Sequence, residues 1–373
     1  MVKKILFRLV AVWIGLVIPL VVSEIILRFL PVTEGFRALP VNEKNAVFRF
    51  TPNRTSTWSA GWNFALVNTV RVNNYGFVND QDYEPKENSP LLAVIGDSFV
   101  EAAMIPYRLT AHGRLAESVR DRGRVYSFAA SGAGFSQYLV WAEYARDTFR
   151  PSGMVFVIIA NDFAESIFKY KHSPGFHVFV ETDSGKLALQ RVDYKPGLVR
   201  KVFRRSALAM YLILNLKVHA NLRLPLPFIK LDEGENISNV PAVVEEEILT
   251  NVMRGMIKFF DELPTRTGLE STRILFVVDG IRQSIYDPKV RELARGSYWD
   301  RVRRHFFKEA SARGYEVVDM HPIFQRDFRI KGQRFEFPTD KHWNQVGHRL
   351  AGTAVEGTAV YRRVFGRENK NVR

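Results

Sequence analysis

Residues 90–98 read PLLAVIGDS, and this stretch decides the fold. The five residues 91–95 form a continuous apolar run, which is typical of a strand buried on both faces of a parallel sheet. A Gly-Asp-Ser turn follows at once, and residues 109–121 are compatible with a helix. A strand, a turn and a helix in this order are the repeating unit of α/β proteins.

The same unit recurs along the rest of the chain. Four more apolar runs predict strands at 124–129, 154–159, 274–278 and 316–320, and three more helices are predicted at 137–148, 243–263 and 298–313. Because helices separate the strands, the connections cross over and the sheet is parallel, with both faces covered. The predicted fold class is α/β, a doubly wound three-layer α/β/α arrangement with a mainly parallel sheet.

Composition excludes several classes of protein. The 373 residues include 46% hydrophobic and 25% charged residues and no cysteine. This is too apolar for a disordered chain and too polar for a protein with many membrane spans. Without cysteine there is no disulfide framework, thiolate metal site or cysteine nucleophile. The net charge of +14 suits nucleic acid, an anionic membrane or an acidic polysaccharide, so the position of the charges has to decide.

The first thirty residues have the charge pattern of a membrane segment. Lys3, Lys4 and Arg8 precede an uncharged run over 9–23, and Glu24 follows it, which is the positive-inside arrangement. The uncharged run alone has the length of a signal-peptide core, but apolar residues continue to Leu30 and make a spanning helix possible. An Ala-x-Ala cleavage site is missing.

We therefore predict an uncleaved membrane anchor over residues 1–30, with the body outside the cytoplasm, on the periplasmic or extracellular face of a bacterial-type inner membrane. A cleaved, secreted form and a buried helix of a soluble protein are the alternatives. This location argues against nucleic acid as a partner, and the sequence identifies no partner protein.

Much of the remaining charge lies between the third and fourth predicted strands. Residues 165–230 hold twelve basic and four acidic residues, a net of +8. Residues 177–190 predict a hairpin and residues 206–224 an apolar helix, so we predict that 165–240 is an insertion or lid. Its basic segment 195–205 is a solvated face, a contact with an anionic leaflet, or a site for an acidic glycan or phosphorylated lipid.

The domain limits follow from these features. Residues 31–89 alternate aromatic and polar residues and predict a small β-rich lead-in. The main domain is predicted over 90–362, and residues 363–373 form a polar tail.

Polar residues that could perform chemistry follow the predicted strands, where ligands bind in open α/β sheets. Ser98 follows the first strand, Gly132 the second, Asn161 the third, and Asp340 with His342 the fifth. A serine near a helix N-terminus, an imidazole base and an acid that orients it form an activated nucleophile. The backbone N–H groups of Ser98 and Gly132 and the Asn161 amide are candidate donors to an oxyanion.

Each residue also has a structural interpretation. Asp97 or Ser98 could cap a helix, Gly132 could serve a turn, Asn161 could cap the next helix, and His342 could be a surface histidine. Asp97, Asp279 and Arg282 could line the cleft, and a structural role is equally open for Asp279 and Arg282. Glu101 could reach substrate, although an acid that favours the helix dipole is the safer interpretation. The histidines show no ligand spacing, so neither a metal nor a cofactor is indicated.

Four motifs together resemble the SGNH or GDSL-type hydrolases, a superfamily of esterases and lipases. They are GDSF at 96–99, the turn at Gly132, Asn-Asp at 161–162, and D-x-HWN-x-x-GH at 340–348. The resemblance covers roughly residues 90–360. It implies a flavodoxin-like three-layer fold, Ser98 as nucleophile, Gly132 and Asn161 as oxyanion donors, and His342 with Asp340 as base and acid. Membrane-anchored and polysaccharide O-acetyltransferase-like members have a similar D-x-HWN motif.

The function expected from this resemblance is a serine ester hydrolase that acts through an acyl-enzyme. Its substrates would be ester-linked acyl groups, O-acetyl in particular, on cell-surface carbohydrate or lipid. Two alternatives remain: an O-acetyltransferase with the same Ser, His and Asp residues, and a catalytically silent binding subunit that keeps the fold.

Overall fold

A computed structural model describes residues 2–218 and 236–366. Its central sheet has five strands, of which four are buried along their whole length and one, at the edge, is half-buried. The strands, in their order across the sheet, are Glu316–Asp319, Ile274–Val278, Gly153–Ile158, Leu91–Gly96 and Arg124–Ala129. All four neighbouring pairs are parallel. Numbered along the chain this is the order 2-1-3-4-5 of flavodoxin-like folds, and the predicted fold class is confirmed.

Helices cover both faces of the sheet. Alternate side chains of each strand point to opposite faces, so the apolar core divides in two. One face packs against the helices Phe135–Phe149, Glu246–Thr267 and Tyr298–Ala312. The other packs against Ala111–Ser118, Met320–Lys331, Gln345–Glu356 and Ala359–Phe365.

Shorter elements lie around this framework. The short helices are Ser98–Glu101, Asp162–Glu165, Leu198–Phe203, Ala207–Met210, Gln283–Tyr286 and Pro288–Ala294. Antiparallel pairs are formed by Arg54–Ala60 with Leu66–Val72, His177–Glu181 with Leu187–Arg191, Asn236–Ile237 with Val240–Pro241, and Glu336–Phe337 with Asp340–Trp343. The first pair gives the lead-in its β character, and the second is the hairpin expected within the insertion.

The helix predicted over 206–224 is present in most of its described part, but it is only partly an α-helix. An α-helix covers only Ala207–Met210, and a π-helix follows at Tyr211–Asn215. Asn215 is buried and donates to Ser59 Oγ at 2.8 Å while it accepts from Thr33 N at 3.2 Å. This polar residue is thereby held against the lead-in, and the helix widens where it turns inward. Residues 219–224 lie outside the described residues, as do 367–373 of the predicted tail.

The N-terminal segment forms one helix, Val2–Leu27, with Pro19 inside it. Its 26 residues span about 39 Å, more than the roughly 30 Å of a bilayer core. None of its most apolar window is buried against the rest of the chain. By length and composition it could cross a membrane or act as a signal sequence, and it is the one described helix with these properties.

Candidate active site

The candidate nucleophile lies at the turn after the central strand Leu91–Gly96. Asp97 caps the short helix that follows, because its carboxylate accepts a hydrogen bond from Phe99 N at 2.9 Å. The cap is therefore Asp97, and the Ser98 hydroxyl is left for other contacts. Asp97 is fully buried and does not line a cleft, and burial raises its pKa to about 6. Its second oxygen lies 3.1 Å from Ser98 Oγ.

His342 and Asp340 meet Ser98 across 244 residues of sequence. His342 Nε2 lies 2.7 Å from Ser98 Oγ, and His342 Nδ1 contacts Asp340 Oδ1. Asp340 Oδ1 also accepts from the backbone N–H of His342 at 2.9 Å, which fixes the carboxylate beside the ring. Burial acts to raise the pKa of Asp340, but the hydrogen bonds and charge of His342 outweigh it and lower the pKa. An ionised Asp340 holds the tautomer in which Nε2 can accept the serine proton.

Three candidate hydrogen-bond donors follow neighbouring strands at the same edge of the sheet as Ser98. Ser98, Gly132 and Asn161 follow the strands that end at Gly96, Ala129 and Ile158. The N–H groups of Ser98 and Gly132 and the Asn161 amide have no hydrogen-bond partner among residues 2–218 and 236–366. Asn161 does not cap the helix that it precedes. All three are thus available to an oxyanion.

Two local features set the backbone of these donors. Gly132 has φ +81°, in the left-handed region that favours glycine. The turn that carries Asn161 is closed by the Asp162 carboxylate, which accepts from Ile159 N and Tyr138 Oη, each at 2.8 Å. Burial holds the pKa of Asp162 well above its ordinary value.

A buried ion pair fixes the loop that bears Asp340 and His342. Arg282 donates to the Asp279 carboxylate at 3.2 Å, to Glu336 at 3.1 Å and to the carbonyl of Lys341 at 2.7 Å. Asp279 also accepts from the Trp343 indole at 2.9 Å. Both Asp279 and Arg282 are buried, so they support the loop, although Arg282 also borders a cavity on the loop's outer side.

Glu101 is tied to the turn that carries Gly132. Its carboxylate accepts from the N–H of Ser131 at 2.9 Å and from the Ser131 hydroxyl at 2.6 Å. Burial raises the pKa of Glu101 to about 7, and the charge of Asp97 adds to the effect. The sequence showed only an acid in the first turn of a helix. Its contact with Ser131, thirty residues away, could not be predicted from the sequence.

Replacing Glu101 with glutamine is expected to change the pH dependence of stability. Because the folded protein holds this proton between about pH 4.5 and pH 7 and the unfolded chain has released it, the free energy of unfolding falls as pH rises through that window. Glutamine removes this contribution. The difference in free energy of unfolding, variant minus parent, should therefore rise by about 3 kcal/mol as the pH rises through the window. Urea unfolding at several pH values measures it.

The exposed Glu117, replaced in the same way, is the matched control and should leave the slope unchanged. Parallel curves for the parent and the Glu101→Gln variant would contradict the raised pKa.

A cavity of about 500 Å³ opens beside the His342 ring. Asp340, His342, Glu101 and Ser131 contribute its polar wall. Aromatic residues also line it, most of them from the lead-in; they include Phe36, Phe48, Phe50, Trp58 and Phe176. A larger cavity of about 810 Å³ borders the 336–341 loop and includes Asp340 but not His342, whereas the smaller cavity includes both. The smaller cavity is therefore the candidate substrate site.

The described residues contain no group of three or more His, Asp or Glu side chains that could hold a metal ion. A doubly wound sheet with a Ser, His and Asp constellation at its carboxyl edge is the arrangement that serine hydrolases use.

A comparison with solved structures finds several that match this chain. A member of the lipolytic protein G-D-S-L family from Veillonella parvula is 11% identical and has a TM-score of 0.37; the match covers 72% of this chain and 96% of that one. A lipase/acylhydrolase from Enterococcus faecalis is 10% identical, with a TM-score of 0.37 and coverage of 74% and 95%. An acetyl-xylooligosaccharide esterase variant from a Geobacillus species is 13% identical, with a TM-score of 0.38 and coverage of 78% and 100%.

No model of a protein family matches the chain, and no curated protein matches it in sequence.

Proposed function

We propose that this protein is a serine ester hydrolase that acts through an acyl-enzyme. The observation that carries the proposal is the contact of 2.7 Å between Ser98 Oγ and His342 Nε2, with Asp340 on the other nitrogen of the ring. A hydroxyl in this setting can be deprotonated as it attacks, which a free serine cannot achieve at neutral pH.

In the first half of the reaction, Ser98 Oγ attacks the ester carbonyl while its proton passes to His342 Nε2. The carbonyl oxygen becomes an oxyanion that the N–H groups of Ser98 and Gly132 and the Asn161 amide can stabilise. Collapse of the intermediate breaks the bond to the alkoxy oxygen, which takes the proton from His342 and departs as the alcohol.

In the second half, water enters and His342 removes its proton as the oxygen attacks the acyl-enzyme. The intermediate collapses, His342 returns the proton to Ser98 Oγ, and the acid leaves. Asp340 stays ionised throughout and stabilises the imidazolium that forms twice in the cycle.

The substrate class that suits the cavity is an acylated carbohydrate. Aromatic and polar side chains in one cavity offer stacking and hydrogen bonds to a sugar ring. Arg200 and Lys217 also line the cavity, so it favours a sugar that bears negative charge. We propose O-acetyl groups on cell-surface carbohydrate as the ester. This agrees with the resemblance to O-acetyltransferase-like members of the superfamily.

The cavity also supports a second candidate, an O-acetyltransferase. The reaction differs only in the acceptor of the acyl-enzyme, where a sugar hydroxyl replaces water. A volume of about 500 Å³ beside His342 can hold a sugar residue with its hydroxyl near the base.

A fluorophosphonate probe tests the nucleophile. We expect covalent labelling of the full-length protein at Ser98, because the activated hydroxyl attacks phosphorus as it attacks a carbonyl. Mass spectrometry of peptides would locate the label. Ser98→Ala should abolish it, and Ser184→Ala, in the exposed tip of the insertion hairpin, should leave it unchanged. Labelling that persists in Ser98→Ala would contradict the proposal.

Turnover of p-nitrophenyl acetate with and without added glycan separates the two candidates. Release of nitrophenol that speeds up with glycan, together with acetylated glycan as product, identifies a transferase. Release that is independent of glycan, with acetate as the product, identifies a hydrolase.

A further inference from the structure

A cavity rich in arginine lies where the N-terminal helix meets the body. Its volume is about 530 Å³, and it is separate from the cavity at His342, with Thr33 bordering both. The arginines that line it are Arg28, Arg37, Arg54, Arg204 and Arg205. Glu34 is the one acidic residue among the described residues that line it, and it pairs with Arg54 at 2.9 Å, while Arg28 pairs with Glu24 at 2.8 Å. Positive charge in this cavity therefore exceeds its internal counter-charge.

Two of these arginines have guanidinium groups without a partner in the described part of the chain. Arg37 and Arg205 are exposed, and within residues 2–218 and 236–366 neither guanidinium forms an ion pair or a hydrogen bond. Arg204 is half-buried and donates to the carbonyl of Phe36 at 2.8 Å. Burial lowers the pKa of Arg204, and the charges of Arg200, Arg37 and Arg54 lower it further. An anion in this cavity would relieve that repulsion.

An exposed apolar face directly precedes the arginines. The helix Leu198–Phe203 contains no buried residue. Leu198, Val199, Val202 and Phe203 are 79%, 67%, 66% and 50% exposed. Val199, Val202 and Phe203 follow Leu198 by one, four and five residues, so all four side chains lie on one side of the helix. An apolar face bordered by arginine is typical of a segment that lies in the interface of a membrane.

This basic and apolar surface is fixed to the end of the N-terminal helix. Glu24 accepts hydrogen bonds from Ser206 Oγ at 2.8 Å, Leu208 N at 2.9 Å and Ala207 N at 3.1 Å. Arg28 donates to the carbonyl of Arg205 at 3.2 Å. Leu27, Val32 and Met210 form a small apolar cluster beneath these contacts. A helix of this length that crossed a bilayer would therefore leave the arginines at the level of the lipid phosphates.

We propose that this surface docks on an anionic phospholipid bilayer, with lipid phosphates in the arginine cavity and the apolar face of Leu198–Phe203 at the boundary of the acyl chains. The docked segment also contributes Arg200 to the wall of the cavity at His342. Docking thus holds the candidate active site at a fixed distance from the surface of the membrane that the N-terminal helix enters.

The absence of cysteine from the chain makes a clean test possible. Full-length protein with Phe203→Cys, labelled with an environment-sensitive fluorophore, is reconstituted into phosphatidylcholine vesicles with or without phosphatidylglycerol. In vesicles with phosphatidylglycerol we expect a blue-shifted emission that lipid-borne spin labels quench. Ile330→Cys is the matched control, because Ile330 is apolar and 74% exposed but lies outside the insertion. Its probe should report water in both vesicles.

A double substitution then tests the role of charge. Arg37→Gln with Arg205→Gln, in the Phe203→Cys background, should shift the docking equilibrium about 25-fold toward the undocked state, since each arginine near an anionic surface contributes about fivefold. Hydrolysis of soluble p-nitrophenyl acetate should be unchanged, because neither residue lies at Ser98 or His342. The outcome is thereby independent of whether the proposed esterase activity is found.

A probe at position 203 that reports water in vesicles with phosphatidylglycerol overturns the proposal. So does lipid contact that is equal in neutral vesicles, or equal in the double variant, because the apolar helix would then account for it without the arginines.

Discussion

Replacing His342 with alanine is expected to lower kcat for a small soluble ester by about 10⁴- to 10⁶-fold, with little change in KM. His342 Nε2 is the group within hydrogen-bond distance that can take the proton of Ser98 Oγ, 2.7 Å away. The only other described side-chain contact of that hydroxyl is with Oδ2 of the buried Asp97 at 3.1 Å, a longer contact from a residue whose Oδ1 caps the helix. Steady-state kinetics with p-nitrophenyl acetate measure the loss.

Asp340→Asn should cost less, about 10²- to 10⁴-fold in kcat, because the asparagine disturbs the tautomer but leaves the base in place. Lys341→Ala, at the exposed residue between them, is the matched control and should retain activity. A His342→Ala variant with near-normal kcat would show that this ring is not the base, and Asp97 would then be the next group to test.

The sheet was predictable because its strands are buried on both faces. An apolar run such as 274–278, when turns and helical patterns flank it, indicates a buried strand. The structure has strands at Arg124–Ala129 and Ile274–Val278, with the predicted bounds. The helices after Asp319, Asn344 and Thr358 were missed. Each begins at a capping side chain close behind another element.

The candidate site was predictable in part for a topological reason. Residues that follow parallel strands collect at one edge of the sheet, so Ser98, Gly132 and Asn161 had to lie close together. The approach of His342 to Ser98 depends on the loop 336–343, which pairs with no strand of the central sheet. The pattern of residues offered His342 and Asp340 as candidates for the base and the acid, and the resemblance to a known superfamily implied the same roles.

Contacts between distant polar residues could not be predicted. The Glu101 carboxylate meets Ser131, and Glu24 meets Ser206, through side-chain hydrogen bonds that no periodicity encodes. The same holds for Asn215, the last residue of the π-helix, which donates to Ser59 Oγ. Such contacts are decided by tertiary packing, and they connect the N-terminal helix, the segment 206–215 and the turn at Gly132 to distant parts of the chain.

Replacing Arg282 with methionine is expected to lower the free energy of unfolding by about 3 to 5 kcal/mol, because it leaves buried carboxylates without their counter-ion. Arg282 is the cation that both Asp279 and Glu336 contact, at 3.2 and 3.1 Å. Methionine keeps the unbranched apolar stem, so the loss is one of charge and hydrogen bonds, including the cation–π contact of the guanidinium with Phe99. Urea unfolding followed by circular dichroism measures it.

The same substitution should also lower kcat, since Arg282 donates to the carbonyl of Lys341 between Asp340 and His342. If the variant is only destabilised, its kcat should equal that of the parent at a low temperature, where both are folded. If His342 is displaced, kcat should stay below that of the parent. Arg334→Met, an exposed arginine near the same loop that stacks on Tyr286, is the matched control and should change stability by less than about 1 kcal/mol. Equal stability of the Arg282→Met variant and the parent would mean that Trp343 and Tyr286, which also donate to these carboxylates, hold the loop without the ion pair.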